Sequence, residues 1–286
     1  MNYKQVRLAP GLHFVATPIG TARDITLRAL DTLASADVLA AEDTRSLRHL
    51  MDIHGVPLSG RRIIAYHDHS GTSVQDRLVA EAVQGKSVAY ASEAGMPLIA
   101  DPGFELGRAM AAAGQMVTVA PGASAVPAAL VLAGLPTDAF FFAGFLPNAS
   151  AARKTRLMDL AQIPGTLVFY ESPKRLRASL ADMAESLGGE RQAAICREIT
   201  KKFEDVRRGT LQDLVAGMAD APDPKGEIVV VVDRAGSEKI SELDLENDLR
   251  TALETHSVRD AAEIVSKIHG LPKRDVYQMA LQMGRP

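Results

Sequence analysis

The chain has 286 residues, 47% of them hydrophobic and 23% charged, a composition that can fill the cores of one or two ordinary globular domains. No apolar run approaches the roughly 20 residues that cross a bilayer, and the first residues lack a signal-peptide pattern. The chain has one cysteine, Cys196, which excludes an internal disulfide. We therefore expect a cytoplasmic protein without a membrane partner. The net charge is −3, yet residues 151–210 hold 12 basic against 8 acidic side chains, and a local basic face favours contact with phosphates.

The first half of the chain alternates short β-prone runs with amphipathic segments. Strands are predicted over residues 12–17, 38–41, 62–66, 87–91 and 115–120, and helices over 25–33, 44–54, 74–83, 104–113 and 124–133. This alternation predicts an α/β fold with a mostly parallel sheet and right-handed crossovers.

A second α/β block begins near Asp138. Strands are predicted over 139–143, 165–170, 192–197, 204–208 and 227–232, and helices around 153–156, over 174–187 and over 211–214. Cys196 lies among apolar neighbours in this block, which predicts a buried, unreactive thiol. We therefore expect one α/β domain over 1–137, a second over 138–235, and a helical extension over 236–286.

The extension contains two predicted helices, one that begins with a capping-box pattern at Ser257 and ends at Gly270, and one from Pro272 to near Met283. Two helices around a glycine turn fit a helix-turn-helix nucleic-acid reader. A small helical cap is the alternative, and the acidic charge of residues 211–286, with 9 basic against 14 acidic side chains, favours it.

A loop rich in glycine and proline runs from Ser92 to Gly103, between a predicted buried strand and a predicted helix. Open α/β sheets bind their ligands at the carboxyl ends of such strands. The loop therefore predicts a ligand site, with a plain rigid connection as the alternative.

Common catalytic and nucleotide-binding motifs are absent from the sequence, which contains no GxxxxGK[ST], GxGxxG, GxSxG or HExxH pattern in the expected context. The loop after the first strand offers only Gly20, which argues against a pyrophosphate cradle. His67 and His69 flank Asp68, but a metal site would need a third ligand that the sequence does not supply, so no metal is expected.

Acidic and basic side chains stand together where three predicted strands end, at Glu42–Arg45, Glu171–Arg175 and Arg197–Lys202. Asp43 or Thr44 can serve simply as the N-cap of the next helix. Three such loops also predict a polar cleft shared by the two domains.

Several motifs together resemble the ribosomal RNA small subunit methyltransferase I family of the tetrapyrrole methylase superfamily. They are Thr17-Pro18-Ile19-Gly20, Ala41-Glu42-Asp43-Thr44-Arg45, Tyr66-His67-Asp68-His69, the 92–103 loop, Pro121-Gly122-Ala123-Ser124-Ala125, Phe169-Tyr170-Glu171-Ser172-Pro173 and Arg197-Glu198-Ile199-Thr200-Lys201-Lys202. The resemblance implies two α/β domains with S-adenosylmethionine in the cleft between them. It also implies 2′-O-methylation of a cytidine ribose in 16S rRNA at the decoding centre, a homodimer, and a helical C-terminal extension.

The resemblance further implies which residues act. Cofactor contacts are expected from Pro18, Ile19, Gly20, Ser92, Glu93, Ala94, Gly95, Asp101, Pro102, Gly103, Gly122, Ser124, Ala125, Phe169 and Tyr170. RNA phosphates are expected to meet Arg45, Lys174, Arg175, Lys201 and Lys202. The catalytic base is one of Glu42, Glu93, His67 and Lys201, and the sequence does not choose among them.

The chain departs from the family pattern at Glu93, Met96 and Ala100, where the family usually has Asp, Thr and Ser. A lost hydroxyl contact with the cofactor would cost about 0.5–1.5 kcal/mol. Two rival functions follow: a methyltransferase of the same superfamily acting on a tetrapyrrole precursor, and a non-catalytic RNA-binding assembly factor. The basic second block disfavours the first, and cofactor binding would exclude the second.

Overall fold

The computed structural model describes residues 2–67, 72–219, 222–236, 242–269 and 271–283. Asp68 and His69 of the predicted histidine pair, and Gly270 of the predicted glycine turn, lie outside the described residues. The chain divides into two compact units. The first comprises Met1–Leu132, Cys196–Val206 and Gly226–Val229, and the second comprises Ala133–Ile195, Arg207–Lys225 and Val230–Pro286.

The first unit contains a five-stranded sheet. Its strands are β1 (Gly11–Val15), β2 (Val38–Ala41), β3 (Ile63–Ala65), β4 (Ser87–Ala91) and β5 (Val117–Ala120), in the spatial order β3-β2-β4-β1-β5. All four strand pairings are parallel, as the strand–helix alternation predicted. The connecting helices are α1 (Leu27–Ser35), α2 (Thr44–Ile53), α3 (Thr72–Val83), α4 (Phe104–Ala112) and α5 (Ala125–Ala133), with a 3₁₀ turn over Ala22–Asp24.

Side chains on the two faces of this sheet enter two separate hydrophobic clusters. Along β1, Leu12 and Phe14 pack on one side with Tyr90, whereas Val15 packs on the other side with Leu39. Every residue of β4 is buried, because helices cover both faces of a parallel sheet. The covered sheet leaves the loops at the carboxyl ends of its strands as the natural ligand-facing surface.

A second five-stranded sheet follows along the chain. Its strands are β6 (Phe140–Phe145), β7 (Thr166–Glu171), β8 (Gln192–Arg197), β9 (Asp205–Thr210) and β10 (Ile228–Val232), in the order β6-β7-β10-β8-β9. Helices α6 (Ser150–Leu160), α7 (Leu176–Leu187) and α8 (Leu211–Met218) connect them. The edge strand β6 pairs in parallel with β7, and its register shifts between Phe142 and Gly144. Cys196 on β8 is buried, as predicted.

The tail forms three helices, α9 (Glu242–Leu253), α10 (Val258–His269) and α11 (Lys273–Met283), packed around a small core that includes Leu249, Val265 and Val276. The first residues of α10 are capped as predicted, since the Asp260 N–H donates to the Ser257 hydroxyl at 3.2 Å. No helix in the described part of the chain is long and apolar enough to span a membrane.

Candidate functional site

The loops that leave β1 and β4 are joined through their backbones. Thr17 and Gly95 exchange two N–H to carbonyl hydrogen bonds, each of 3.0 Å. The Thr17 hydroxyl donates to the Ser92 carbonyl at 3.2 Å, and the Ser92 hydroxyl donates to the Gly95 carbonyl at 2.7 Å. The two loops are therefore one rigid structure at the carboxyl end of the sheet.

Glycines let this structure close tightly. Gly95 has a φ of +83°, and a Cβ there would lie 3.2 Å from the Ile19 side chain. At Gly122 a Cβ would lie 2.9 Å from the Ala16 Cβ, and at Gly20 it would lie 2.8 Å from the Ile199 carbonyl oxygen. Larger residues at these three positions would force the loops apart, so the surface they form is shaped by backbone approach.

The middle of the 92–103 loop carries backbone strain. Leu98 and Ala100 have φ values of 71° and 61°, in the left-handed region that non-glycine residues avoid. Such conformations cost of order 1–3 kcal/mol each and cluster at ligand-binding sites. The Tyr90 hydroxyl donates to the Pro102 carbonyl at 3.3 Å and so helps to hold the end of the loop. Ala100 is exposed and Met96 half-buried. Neither of these two departures from the family pattern therefore lies in the hydrophobic core.

Asp101 is the electrostatically unusual group of this loop. Burial, and then the negative charges of Glu42, Glu93 and Glu227, raise its pKa to about 7. Its Oδ2 atom is buried and has no hydrogen-bond partner among the described residues. A carboxyl group in this position is suited to accept a hydrogen bond from a ligand or to balance a positive charge.

Two predicted base candidates meet at this loop, Glu93 within it and Glu42 beside it. Glu42 follows β2, and its carboxylate accepts from the Glu93 N–H at 3.3 Å. The Glu93 side chain is exposed. His67, a third candidate, is exposed beyond the end of β3. Among the described residues no group of three or more His, Cys, Asp or Glu side chains could hold a metal ion.

Lys201 is held by two carboxylates of the first unit. Its ammonium lies 2.8 Å from Glu198 Oε1 and 3.1 Å from Glu227 Oε2. Burial opposes the charged form, but these hydrogen bonds outweigh it and raise the pKa of Lys201. A lysine held in its protonated form is a poor proton acceptor, so this geometry favours Glu42 or Glu93 over Lys201 as the base.

The segment around Lys201 also contacts the β1 loop, because the Thr21 N–H donates to the Thr200 hydroxyl at 3.3 Å. Thr200 and Glu198 both have positive φ, at 65° and 52°. Sequence patterns did not predict this contact, since the two segments are far apart along the chain. Lys202 is exposed, with its ammonium 5.4 Å from the centre of the Phe203 ring.

Asp43 caps α2, as the structural alternative predicted, because its carboxylate accepts from the N–H groups of Arg45 and Ser46 at 2.7 and 3.2 Å. The Arg45 guanidinium lies 2.9 Å from the same carboxylate, while 90% of its side chain is exposed. That guanidinium hydrogen bond, together with the backbone N–H groups, lowers the pKa of Asp43 to about 2. Arg45 thus keeps most of its surface available for a phosphate.

In the second unit Arg175 has structural partners. Its Nη2 donates to the Leu146 carbonyl at 2.6 Å and its Nη1 to the Asn148 side chain at 2.5 Å. Its Nε lies 3.3 Å from the fully buried Glu171 carboxylate. The adjacent Lys174 is exposed. Lys174 and Arg175 were both predicted to contact phosphates, and Lys174 is the more exposed of the two. The sequence alone could not distinguish the exposed cation from the one with structural partners.

The remaining predicted cofactor residues differ in exposure. Phe169 is fully buried and Tyr170 half-buried, so Tyr170 is the one of this pair with surface that a ligand could contact. In the first unit Ile19 is buried, and the residues that are half-buried are Pro18, Ala94, Ser124 and Ala125. The structure brings the 17–20 and 92–103 loops together by direct hydrogen bonds, and it brings the Ile199 carbonyl and the side chains of Thr200 and Lys201 against Gly20.

Two family models match the chain. Residues 11–215 match the family described as tetrapyrrole (corrin/porphyrin) methylases, and residues 240–284 match the family described as the RsmI C-terminal HTH domain. The second match favours the helix-turn-helix alternative for the tail over the helical cap that the acidic charge had favoured.

Individual proteins extend these matches over nearly the whole chain. The chain is 47% identical to the ribosomal RNA small subunit methyltransferase I of Mesorhizobium japonicum over 276 residues, which are 96% of this chain and 93% of that protein. The solved methyltransferase CobJ has a TM-score of 0.58 at 19% identity, over 79% of this chain and 95% of that one. The uroporphyrin-III C-methyl transferase from Thermus thermophilus, complexed with S-adenyl homocysteine, has a TM-score of 0.53 at 18% identity, over 77% of this chain and 96% of that one. At these identities the solved structures show the fold.

Proposed function

Because the chain belongs to the tetrapyrrole methylase family and, within it, to the ribosomal RNA small subunit methyltransferase I group, we propose that it methylates ribosomal RNA with S-adenosylmethionine. The specific reaction proposed is methylation of the 2′-oxygen of a cytidine ribose in 16S rRNA at the decoding centre. One observation carries the proposal: the family's motif loops at 17–20 and 92–103 are joined into one glycine-shaped, acid-lined structure at the carboxyl end of the first sheet. A ribosomal substrate would place the activity in the cytoplasm.

The residues of the first unit suit S-adenosylmethionine. When bound, this cofactor supplies a methyl group activated by a sulfonium cation, and it also carries an amino group and ribose hydroxyls. Asp101 Oδ2 is a buried acceptor without a donor among the described residues, and Glu42 and Glu93 add negative charge. Gly20, Gly95 and Gly122 let the protein's own segments pack closely against one another, which shapes the surface offered to the cofactor. We assign Pro18 to Gly20, the 92–103 loop and Gly122 to Ala125 to cofactor binding. Phe169 and Tyr170 stay as contacts that the family resemblance alone implies.

The chain's own groups would then position the acceptor. A ribose 2′-hydroxyl is a weak nucleophile, so alignment and a proton acceptor must assist in-line displacement. Glu42 and Glu93 are carboxylates on the loops that leave β2 and β4, and one of them is the proposed base. Lys201, held protonated by Glu198 and Glu227, is suited to bind a phosphate or orient a carboxylate.

RNA phosphates would meet exposed cations. Arg45, Lys174 and Lys202 have exposed side chains, whereas Arg175 holds the loop after β6 in place. Phosphate contacts supply most of the salt-dependent affinity for RNA without reading sequence. The match of residues 240–284 to a helix-turn-helix domain supports a further RNA contact through the tail.

We also propose a homodimer. The edge strand β5 exposes Val117 and Val119, each 39%, and α5 exposes 81% of Val131. Exposed apolar side chains on an unpaired edge strand are typical of a surface that another chain covers. Analytical ultracentrifugation is the direct check: a concentration-independent monomer would contradict the proposal.

The acceptor experiment tests the reaction class. The purified protein is incubated with methyl-labelled S-adenosylmethionine and either 30S subunits from a strain lacking the corresponding methyltransferase or a tetrapyrrole precursor. Label in the RNA fraction alone supports the proposal. Label in the tetrapyrrole alone would replace it with the small-molecule rival, and cofactor binding without transfer to either acceptor would also contradict it.

A further inference from the structure

An aromatic cluster stands at the carboxyl end of the second sheet, at its edge. The Tyr170 ring of β7 lies 4.8 Å from the Phe142 ring and 5.6 Å from the Phe145 ring, both on β6. Phe145 is the last residue of β6, and 57% of it is exposed. A large apolar ring is therefore presented to solvent and supported from one side by a second ring.

Two arginines fix the loop that follows Phe145. Arg175 donates to the Leu146 carbonyl at 2.6 Å, and Arg153 donates to the carbonyls of Pro147 and Asn148 at 3.3 and 3.1 Å. Each guanidinium is paired with a carboxylate that is largely or fully buried. Because charged hydrogen bonds of this kind are strong and directional, the backbone next to Phe145 is held in one conformation.

Positive charge lies beside the cluster. The Arg175 guanidinium contacts the carbonyl of Leu146, the residue after Phe145, and Lys174, which precedes Arg175 in the chain, is exposed. Residues 151–210, which include this loop, carry more basic than acidic side chains, 12 against 8. A rigid exposed ring next to a cation matches an unpaired nucleotide, whose base stacks on an aromatic face while its phosphate meets the positive charge.

We propose that Phe145, backed by Tyr170, is a stacking platform for an unpaired base of the RNA that this protein binds. The proposal rests on the RNA substrate of the proposed function and adds a contact that orients a single-stranded nucleotide. Stacking on a ring is tolerant of base identity, so the platform contributes affinity and positioning more than sequence selection.

The test compares three substitutions at one position with a matched control. Phe145→Ala removes the ring, Phe145→Leu keeps apolar volume without a ring, and Phe145→Tyr keeps the ring. Phe140→Ala is the control, since Phe140 is also exposed on β6 but lies at the amino end of the strand, about 16 Å away at roughly 3.3 Å per residue. Binding of a single-stranded RNA carrying the decoding-centre sequence is measured by fluorescence anisotropy.

Loss of a stacked base costs about 1–3 kcal/mol, so Phe145→Ala and Phe145→Leu should weaken RNA binding by about 5- to 150-fold. Phe145→Tyr and Phe140→Ala should bind RNA within about twofold of the parent protein. Cofactor affinity, measured by calorimetry, and the oligomeric state should not change in any variant.

Three results would overturn the platform. The first is unchanged RNA affinity in Phe145→Ala. The second is a fall in cofactor affinity, which would mark Phe145 as a contact for the cofactor's adenine. The third is a change in oligomeric state, which would mark Phe145 as a subunit contact. Methyl transfer by the unmodified protein separates this inference from the proposed function, since transfer to rRNA with unaltered RNA binding in Phe145→Ala would refute only the platform.

Discussion

Asp101 is a half-buried residue whose carboxyl group is surrounded by other carboxylates of the first unit. Burial and three surrounding carboxylates raise its pKa to about 7, and no donor among the described residues reaches its Oδ2 atom. A cationic cofactor would favour the ionised form, so its affinity should rise as the pH rises through about 7. The neutral thioether product gains less from the same charge.

Replacing Asp101 by Asn tests that environment through stability. The pKa of Asp101 is raised from the ordinary value of 3.8 to about 7, so between these values the folded protein binds a proton that the unfolded chain has lost. The free energy of unfolding therefore falls as the pH rises from about 4 to about 7. Asp101→Asn lacks this slope. At pH 8 its free energy of unfolding should exceed that of the parent by about 1–3 kcal/mol, and it should melt at a higher temperature. This difference in stability should shrink towards pH 4.

The exposed Asp52 on α2 supplies the control, because Asp52→Asn should shift the melting temperature little at either pH. A melting-temperature difference between Asp101→Asn and the parent that stays constant from pH 4 to pH 8 would contradict the buried environment.

Gly20 is the residue at which two distant segments come closest. An added Cβ would overlap the Thr200 hydroxyl and lie 2.8 Å from the Ile199 carbonyl oxygen. Gly20→Ala should therefore lower the free energy of unfolding by about 1–3 kcal/mol, because backbone has to move. The same measurement on Gly217→Ala in α8, where a Cβ meets nothing within 4 Å, should show a gain of about 0.5–1 kcal/mol. Equal effects of the two substitutions would contradict the packing of the β1 loop against residues 199–201.

At the scale of elements, the loop between β7 and α7 gives neighbouring cations opposite roles. Lys174→Ala should weaken RNA binding and reduce the slope of log affinity against log salt by about 1, because one phosphate contact is lost. Its melting temperature should stay within a degree or two. Arg175→Ala should instead lower stability by about 3–5 kcal/mol, because it leaves the Glu171 carboxylate buried without its cation.

Thermal unfolding and salt-dependent RNA binding of the two variants separate these roles. The assignment fails if Arg175→Ala melts like the parent protein, or if Lys174→Ala binds RNA with an unchanged salt slope.

Most elements could be predicted from sequence because their signals are local. The apolar runs that became β1, β4 and β10 are buried throughout, and the capping pattern at Ser257 begins α10 where expected. Helix α9, whose 12 residues include four leucines, was not predicted. For the tail, the acidic charge favoured a helical cap, whereas the family-model match favours a helix-turn-helix domain, because net charge says little about how three helices pack.

The site could be predicted only as a set of motifs. The pairing of Thr17 with Gly95, the ion pair of Lys201 with Glu227 and the contact of Arg175 with Leu146 all join segments distant in sequence. None of these contacts has a periodic or compositional signal. For the same reason Lys201 was a candidate base in the sequence: Glu198 lies in the same motif, but Glu227, its second carboxylate partner, is brought to it only by the fold.

On the scale of the whole molecule, the first compact unit gathers chain from three regions. Cys196–Val206 and Gly226–Val229 belong with the first 132 residues. Consequently Glu198, Lys201 and Glu227 share a unit with the 17–20 and 92–103 loops, and the negative charge of Glu227 reaches Asp101. The cofactor-binding proposal depends on this long-range assembly more than on any single motif.

The identity of the methylated nucleoside tests the central claim most directly. The protein is incubated with S-adenosylmethionine and 30S subunits from a strain lacking the corresponding methyltransferase, and the 16S rRNA is digested and analysed by mass spectrometry. We predict 2′-O-methylcytidine, close to one per 16S molecule, in a fragment from the decoding centre. A methyl group on a base, on another nucleoside or in another part of the rRNA would contradict the claim, as would no transfer from a protein that binds the cofactor.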